Sequence, residues 1–255
     1  MSFGSLITGI TLLLFSILSS AAESGEIDCL KCHAKLKKEK VVHAALDMGC
    51  LSCHSGLDAG VVPHKKTGAF PKGLSADQPD LCYGCHDKGL FTKKNVHAAV
   101  GMGCTGCHNA HSAKNAKLLS SEVPDLCFSC HDQSMFSKKT VHPPVAGGMC
   151  LSCHNPHSSE DLALLIKKPY DLCLDCHGEV PKKPHAVSGF SSRRHPLGEA
   201  KVTKKGEEKI MKDPSRPGKP FYCGSCHDPH STDVNRLFRF NARSGMGLCG
   251  HCHKM

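Results

Sequence analysis

The sequence predicts a mainly α-helical chain with little regular secondary structure and an extended shape. Aromatic residues make up only 5% of the 255 residues, tryptophan is absent, and 24 glycines and 15 prolines are spread along the chain. Few bulky side chains are therefore available for the apolar interior that a chain of this length normally builds. Cysteine, in contrast, occurs 18 times and always in the same short pattern, which indicates that a bound group takes the place of a side-chain core.

Every cysteine belongs to a C-x-x-C pair that is followed directly by histidine, and this run occurs nine times. Two thiols on one helical turn can each form a thioether with a haem vinyl group, and the adjacent histidine then faces the iron as its proximal ligand. The nine runs therefore predict nine covalently attached c-type haems. The cysteines and proximal histidines are Cys29, Cys32 and His33; Cys50, Cys53 and His54; Cys82, Cys85 and His86; Cys104, Cys107 and His108; Cys127, Cys130 and His131; Cys150, Cys153 and His154; Cys173, Cys176 and His177; Cys223, Cys226 and His227; and Cys249, Cys252 and His253.

Three other uses of cysteine fit this pattern less well. Structural zinc sites combine C-x-x-C pairs in twos and do not require a histidine after each pair. A disulfide framework would not keep the spacing constant, and a thioredoxin-like redox motif would occur once. The sequence therefore predicts an extended multihaem cytochrome c whose core is a chain of stacked haems.

The motifs come in pairs within a repeat of about 45 residues. A full unit carries Val-His between its two motifs and Asn-x-His-Ser or Asp-x-His-Ser after the second, as at Val96-His97 and from Asn109 to Ser112. A unit of this size cannot bury its own haems, so consecutive units are expected to stack into an extended array. The predicted repeats span 27–66, 80–119, 125–166 and 171–238, and a terminal motif at 249–253 completes a nonahaem domain over residues 23–255.

Two elements outside the motifs are expected in the fourth unit. The charged, proline-rich run from Lys201 to Pro220 is interpreted as a surface loop. A longer helix is expected near residues 235–243. Elsewhere, regular structure should be limited to short helical turns at the motifs.

The remaining histidines supply enough second ligands for every iron. Ten histidines lie outside the proximal positions, but His251 lies between the cysteines of its own motif and is badly placed to reach across a haem. His111 lies three residues after His108, so the macrocycle separates it from the far face of that haem and it is expected to bind a different one. The predicted distal ligands, which give bis-histidine iron throughout, are His43, His64, His97, His111, His142, His157, His185, His195 and His230.

Methionine is the alternative axial ligand, since methionine can bind haem iron and raise its potential. Four methionines precede a motif closely, and we interpret them as adaptable apolar contacts on the porphyrin faces because the histidines suffice. These residues are Met48, Met102, Met149 and Met246.

The first 22 residues are typical of a signal peptide. They carry no charge, and the apolar run from Leu6 to Leu18 ends in the small residues Ser20, Ala21 and Ala22. The run is short for a membrane span of about 20 residues. An uncleaved anchor is the alternative, because no lysine or arginine precedes the run.

The formal charge of +9 does not indicate a nucleic-acid partner. Nine haems would add about 18 propionate charges and about nine positive ferric cores, which leaves the oxidised holoprotein near neutrality. The lysines are therefore interpreted as propionate partners and solvated surface.

The run Cys-x-x-Cys-His-Asn-x-His-Ser, and the Val-His runs followed by glycine and methionine, resemble the doubled C-x-x-C-H family of multihaem cytochromes found in metal-reducing bacteria. The resemblance covers nearly all of residues 27–255. It implies a periplasmic or outer-membrane-associated electron carrier with closely stacked low-potential haems, similar to the small cytochromes that plug porin conduits. The implied partners are other redox proteins, either cytochromes or an outer-membrane porin-cytochrome complex.

Two classes of function compete. One is an electron conduit in anaerobic respiration, which passes electrons from the periplasm towards outer-membrane or extracellular acceptors. The other is a multihaem reductase of nitrite, hydroxylamine or a sulfur oxyanion, which needs an open iron position for its substrate. The chain has no C-x-x-C-K variant and enough histidines to close every site, so we predict a conduit with no catalytic residue and no small-molecule substrate.

Overall fold

The computed structural model describes residues 27–182, 201–204, 207–210 and 212–254. Helices in these residues are short, and the longest, α5, has nine residues. The described part of the chain contains no helix that is long and apolar enough to cross a membrane. The prediction of a mainly helical chain with little regular structure is confirmed. The α-helices are α1 (Leu30–His33), α2 (Asp80–Tyr83), α3 (Asp125–Phe128), α4 (Pro143–Ala146), α5 (Pro169–His177) and α6 (Gly245–Cys249).

Short 3₁₀ helices and strands make up the remaining regular structure. The 3₁₀ helices span Ala34–Lys37, Ala44–Met48, Cys50–Ser52, Pro71–Gly73, Lys88–Leu90, Ala98–Met102, Cys104–Gly106, Ala116–Leu118, Gln133–Phe136, Cys150–Ser152, Leu162–Leu164, Val180–Lys182, Cys223–Ser225, Asn235–Leu237 and Arg239–Asn241. The strands are β1 (Val41–Val42), β2 (Leu57–Asp58), β3 (Lys65–Lys66), β4 (Asn95–Val96), β5 (Ser112–Ala113), β6 (Thr140–Val141), β7 (Ser158–Ser159), β8 (Lys201–Lys204), β9 (Glu207–Ile210) and β10 (Ser231–Thr232).

Successive motifs alternate between two kinds of helical turn. The odd-numbered motifs lie on or next to α1, α2, α3, α5 and α6, whereas each even-numbered motif begins with a three-residue 3₁₀ helix at its first cysteine. An acidic residue such as Asp80 or Asp125 stands in the first turn of an odd-numbered motif, where it complements the helix dipole. Gly49 and Gly103 precede the second and fourth motifs with φ of 85° and 93°, a backbone conformation that glycine adopts without steric penalty.

Three antiparallel strand pairs join consecutive repeats. The pairs are β1 with β5, β4 with β7, and β6 with β10. In each pair, one strand ends in the valine just before a Val-His histidine and belongs to one repeat. Its partner strand follows Asn-x-His or Asp-x-His and belongs to the next repeat. The repeats are therefore hydrogen-bonded to one another in chain order.

The side-chain core of the described residues is small. The buried apolar side chains are Ala113, Phe221, Phe238, Ala242 and Leu248, and three of these form the one cluster of buried residues near the eighth motif. Large apolar side chains such as Met102 and Val62 are 72% and 82% exposed. This distribution agrees with an interior that side chains alone do not fill.

Two expectations for the fourth unit are wrong. Residues 235–243 do not form one helix, because the extended backbone of Phe238 separates two 3₁₀ helices, each of which contains a left-handed residue, Arg236 or Phe240. The run from Lys201 to Pro220 is not only a loop, because β8 and β9 pair within it and Lys212 forms a bridge with Pro220. The β-branched residues Val202 and Thr203 favour a strand there.

Candidate haem-binding sites

The backbone of each described motif closes a turn that gathers its ligands. The amide of the proximal histidine donates a hydrogen bond to the carbonyl of the first cysteine, as in His86 to Cys82 at 2.9 Å and His108 to Cys104 at 3.0 Å. The same bond closes the ninth motif, from His253 to Cys249 at 2.9 Å. Because this is the spacing of one α-helical turn, the first cysteine and the histidine lie on one side of the peptide. The motifs are therefore folded as thioether attachment requires.

Within each repeat, the first cysteines of the two motifs lie in contact. Burial and a hydrogen bond with the Cys104 thiol raise the pKa of Cys82 to about 11. The hydrogen bond with Cys223 raises the pKa of Cys173 in the same way. The four contacting pairs are Cys29 with Cys50, Cys82 with Cys104, Cys127 with Cys150, and Cys173 with Cys223.

Different cysteines bring neighbouring repeats together. Cys53 of the second motif lies near enough to Cys82 of the third motif to help raise its pKa, and residues of both motifs line one cavity with Met48 and Leu81. The corresponding pairs further along are Cys107 with Cys127, Cys153 with Cys173, and Cys226 with Cys249. Each motif is therefore adjacent to the next one in the sequence.

In the described part of the chain, seven pairs of histidine rings face each other at nearly the same distance. Their ring centroids are 6.0 or 6.1 Å apart, and their planes differ by 8° to 37°. Two imidazoles that bind opposite faces of one iron have centroids about 6 Å apart, since a metal–nitrogen bond is ~2 Å long and the centroid lies just behind the nitrogen. The residues therefore fit a bis-histidine haem in each gap. The pairs are His33 with His64, His54 with His111, His86 with His43, His108 with His157, His131 with His97, His154 with His230, and His177 with His142.

All but one of these pairs cross between repeats. The Val-His histidine of one repeat faces the first motif of the next, as His97 faces His131. The Asn-x-His histidine faces the second motif of the preceding repeat, as His157 faces His108. The exception is His64, which faces the first motif of its own repeat.

A short polar turn holds the Asn-x-His histidines in place. The side-chain oxygen of Asn155 accepts a hydrogen bond from the amide of His157 at 2.9 Å, and Asp228 does the same for His230. This turn, in which a side chain binds the backbone two residues later, is a common use of Asn and Asp. The carbonyl of His157 then accepts a hydrogen bond from the amide of His97 at 2.8 Å, so two distal histidines are fixed to each other.

The serine after each of these histidines fastens one repeat to another. Ser158 is completely buried; its hydroxyl donates to the carbonyl of Leu90 at 2.9 Å and accepts from the amide of Lys93 at 3.2 Å. Ser112 and Ser231 make the equivalent bonds with the first and third repeats. Each polar residue of the repeated Asn-x-His-Ser run therefore has a structural role.

In the described residues, each of the seven pairs contains one histidine whose Nδ1 lies against a backbone carbonyl. In the second, fourth and sixth motifs it is the proximal histidine, as in His108 Nδ1 to the carbonyl of Lys117 at 2.8 Å. In the third, fifth and seventh motifs it is the facing distal histidine, as in His97 Nδ1 to the carbonyl of Pro156 at 2.9 Å. In the first motif, the distal His64 makes this contact with Val61. A proton held on Nδ1 leaves Nε2 free for a metal.

The carbonyls that contact the proximal histidines belong to residues with an unusual backbone. Lys72, Lys117, Ala163 and Arg236 all have φ between 56° and 59°, and the next residue in each case also has positive φ. Residues other than glycine adopt this conformation at a cost of roughly 1–2 kcal/mol. These residues were not predicted from the sequence, where the repeated spacing of the leucine that follows three of them is the only signal.

Burial favours the neutral form of several distal histidines. It lowers the pKa of His111 and His157, with further lowering from the facing histidine rings. Burial also lowers the pKa of His142 and His230. Because only the neutral imidazole can bind a metal, this environment supports the ligand role.

Some of the predicted site residues are not part of a described pair. His185 and His195 lie outside the described residues, and so does the predicted signal peptide. The proximal His227 has its Nδ1 against the carbonyl of Arg236 at 2.7 Å. His251 stacks on Phe240, with centroids 4.4 Å apart, which agrees with its exclusion from the ligand set.

The motifs and facing histidines define a multihaem c-type cytochrome, a class of protein that carries electrons. The chain belongs to the family described as Doubled CXXCH motif, which it matches over residues 43–90, 97–136, 142–182 and 214–255. It is also similar to the multihaem cytochrome MtrA of Shewanella baltica (strain OS185), with 32% identity over 116 residues that cover 37% of this chain and 34% of that protein. The chain therefore matches about a third of the length of this curated relative.

Proposed function

We propose that the protein is a nine-haem electron conduit with bis-histidine iron at every site. The observation that carries this proposal is the set of seven histidine pairs, each with room for one iron and with a histidine on both sides. Such an arrangement leaves no open position for a substrate. When bound, the haems supply one-electron redox chemistry.

The protein's own residues perform two tasks in this function. The cysteine pairs would attach each haem to the peptide, and the carbonyl contact at Nδ1 holds one histidine of each facing pair in one orientation and one tautomer. Because one ligand of each pair is fixed in this way, little rearrangement should accompany a change of charge. This rigidity favours fast electron transfer over binding of small molecules.

We propose that electrons move from motif to motif in chain order. The proximity of cysteines in consecutive motifs supports this route. Within this chain, the proposed route runs between the first motif, at Cys29, and the ninth motif, at Cys249. The histidine pairs that cross between repeats fix the position of each site relative to its neighbours.

The setting of this conduit is proposed from the sequence and the relative. The first 22 residues support secretion to the periplasm, and similarity to a multihaem cytochrome supports redox proteins as partners, either cytochromes or an outer-membrane porin-cytochrome complex. The repeats 27–66, 80–119, 125–166 and 171–238, with the terminal motif 249–253, are proposed as one domain. His185 and His195 are proposed as the ligands that complete the eighth and ninth sites.

The haem count is tested by pyridine-haemochrome analysis and intact-mass measurement of the mature holoprotein. Nine haems per chain are expected. The double variant Cys249→Ala, Cys252→Ala serves as an internal standard and should carry eight. A wild-type value of eight or fewer would show that a motif does not bind haem.

The closed state of the irons is tested with carbon monoxide. The spectrum of the dithionite-reduced protein should remain almost unchanged, because carbon monoxide cannot displace two held histidines quickly. A rapid shift of the Soret band, together with steady turnover of nitrite, hydroxylamine or a sulfur oxyanion, would replace the conduit with a reductase. Slow reduction of chelated ferric iron does not distinguish the two, since any exposed low-potential haem can perform it.

A further inference from the structure

A buried charge cluster lies beside the eighth motif. Asp213 has a side chain that is 1% exposed, and it is the only buried charged residue in the described part of the chain. Its carboxylate accepts hydrogen bonds from Arg216 Nε at 2.8 Å and from the Ser215 hydroxyl at 2.6 Å. Arg239 Nη1 lies 3.8 Å from the same carboxylate. With two guanidinium groups against one carboxylate, the cluster carries one excess positive charge.

Both arginines also touch the residues between the two cysteines of the motif. Arg216 donates to the Ser225 hydroxyl at 3.3 Å, and Arg239 donates to the carbonyl of Gly224 at 3.5 Å. The backbone amide of Arg239 binds the carbonyl of Cys226 at 3.0 Å. The side chains of Arg216 and Arg239 are 28% and 22% exposed, so water and salt screen them less than surface cations.

The repeats show that this charge is particular to one site. The backbone amide that binds the second cysteine of an even-numbered motif belongs to Ser75, Ser120 and Ile166 in the second, fourth and sixth motifs. Arg239 occupies the same position in the eighth motif. The backbone hydrogen bond is therefore kept in all four repeats while the side chain changes from neutral to cationic.

We propose that the excess positive charge of the cluster formed by Asp213, Arg216 and Arg239 raises the reduction potential of the eighth haem above the potentials of the second, fourth and sixth. This inference rests on the proposed function, because it requires a haem at Cys223 and Cys226. Reduction lowers the positive charge of the iron centre by one unit, so a nearby excess positive charge favours the reduced state. The eighth site then holds an electron longer than its counterparts and forms a step near one end of the route.

The test is to remove one charge of each sign and compare the directions. In Arg239→Ser the eighth haem should become harder to reduce by on the order of tenfold in equilibrium constant, which is about 59 mV for one electron. In Asp213→Asn the same haem should become easier to reduce. A role that is only structural would move the potential the same way in both variants, whereas charge predicts opposite signs.

EPR-monitored potentiometry of the full holoprotein measures these shifts. The signal of the eighth haem is identified by its loss in the variant Cys223→Ala, Cys226→Ala. Arg243→Ser, which removes an exposed cation, is the matched control and should leave the potential of that haem unchanged. Ser120→Arg is the reciprocal variant and should raise the potential of the fourth haem.

Opposite shifts in the two cluster variants and none in the control support the inference. Equal shifts, or no shift in either variant while all nine haems are present, overturn it and leave the conduit intact. If the Cys223→Ala, Cys226→Ala variant has the same haem content as wild type, the proposed function fails at this motif and the inference fails with it. Haem content is therefore measured first in each variant.

Discussion

Replacement of His111 by alanine separates a cross-repeat ligand from a surface residue. The His111 ring faces that of His54 at 6.1 Å with planes 8° apart, whereas the ring of its near neighbour His108 faces His157. Alanine removes the ring and keeps the backbone hydrogen bonds, namely the amide held by Asn109 at 2.9 Å and the carbonyl that accepts from His43 at 2.8 Å. The repeats should therefore stay joined while one iron loses a ligand.

The expected size of this effect follows from the pairing. One iron of the nine should become high-spin, and the reduced variant should bind one carbon monoxide per chain. Spin quantification by low-temperature EPR and titration with carbon monoxide measure both quantities. His251→Ala is the control, because His251 stacks on Phe240 instead of facing another histidine, and it should leave every iron low-spin.

The identity of the affected iron provides the stricter test. If His111 serves the second motif, the high-spin signal should vanish when Cys50 and Cys53 are also replaced by alanine. It should persist when Cys104 and Cys107 are replaced instead. An unchanged spin state in His111→Ala, or the opposite response to these cysteine replacements, would refute the assignment of histidines to motifs.

Three further predictions concern stability, each followed by chemical or acid denaturation of the holoprotein. Ser158→Ala should lower the free energy of unfolding by about 1–3 kcal/mol, because a buried donor and acceptor lose their partners. Ser137→Ala, at a more exposed hydroxyl, is the control, and equal effects would contradict the role of Ser158 in joining the repeats. Ala163→Gly should stabilise by about 0.5–1 kcal/mol, since glycine adopts its φ of 57° freely; a loss of stability would contradict this. Hydrogen bonds from Ser215, Ser225 and Arg216 outweigh the opposing effect of burial and hold the pKa of Asp213 at about 2, below its ordinary 3.8. The stabilisation from the ionised carboxylate is therefore complete above pH 4 and is lost as the pH falls through 2. Over that range the free energy of unfolding of wild type should fall by about 2 kcal/mol more than that of Asp213→Asn, and parallel curves would refute this prediction.

The strand pairs and the hydrogen bonds of Ser112, Ser158 and Ser231 join the repeats in a pattern that follows the repetition of the sequence. The second and third repeats each supply one facing histidine to the repeat before and another to the repeat after, as His111 and His97 do in the second repeat. In the first repeat, His64 instead faces His33 of the same repeat. This local pairing gives His33 a facing histidine without one from another repeat.

The sequence by itself determined the chemistry of the sites. Thioether attachment needs two cysteines and a histidine within one turn, so the motif is local and can be recognised from spacing alone. Composition likewise predicted the lack of a large side-chain core. The exclusion of His251, and the expectation that His111 serves another haem, also followed from short-range geometry.

Only the tertiary structure decided which histidines face each other. His43 and His86 are brought together by a strand pair between residues far apart in the chain, and sequence spacing can exclude a ligand but cannot choose its partner. The left-handed turn at Lys117 could not be predicted for a similar reason. Packing and the contact with His108 stabilise this backbone conformation against the local preference of lysine. The excess charge beside the eighth motif depends on Asp213 and Arg239, which are separated in sequence and meet only after the chain has folded around Cys223 and Cys226.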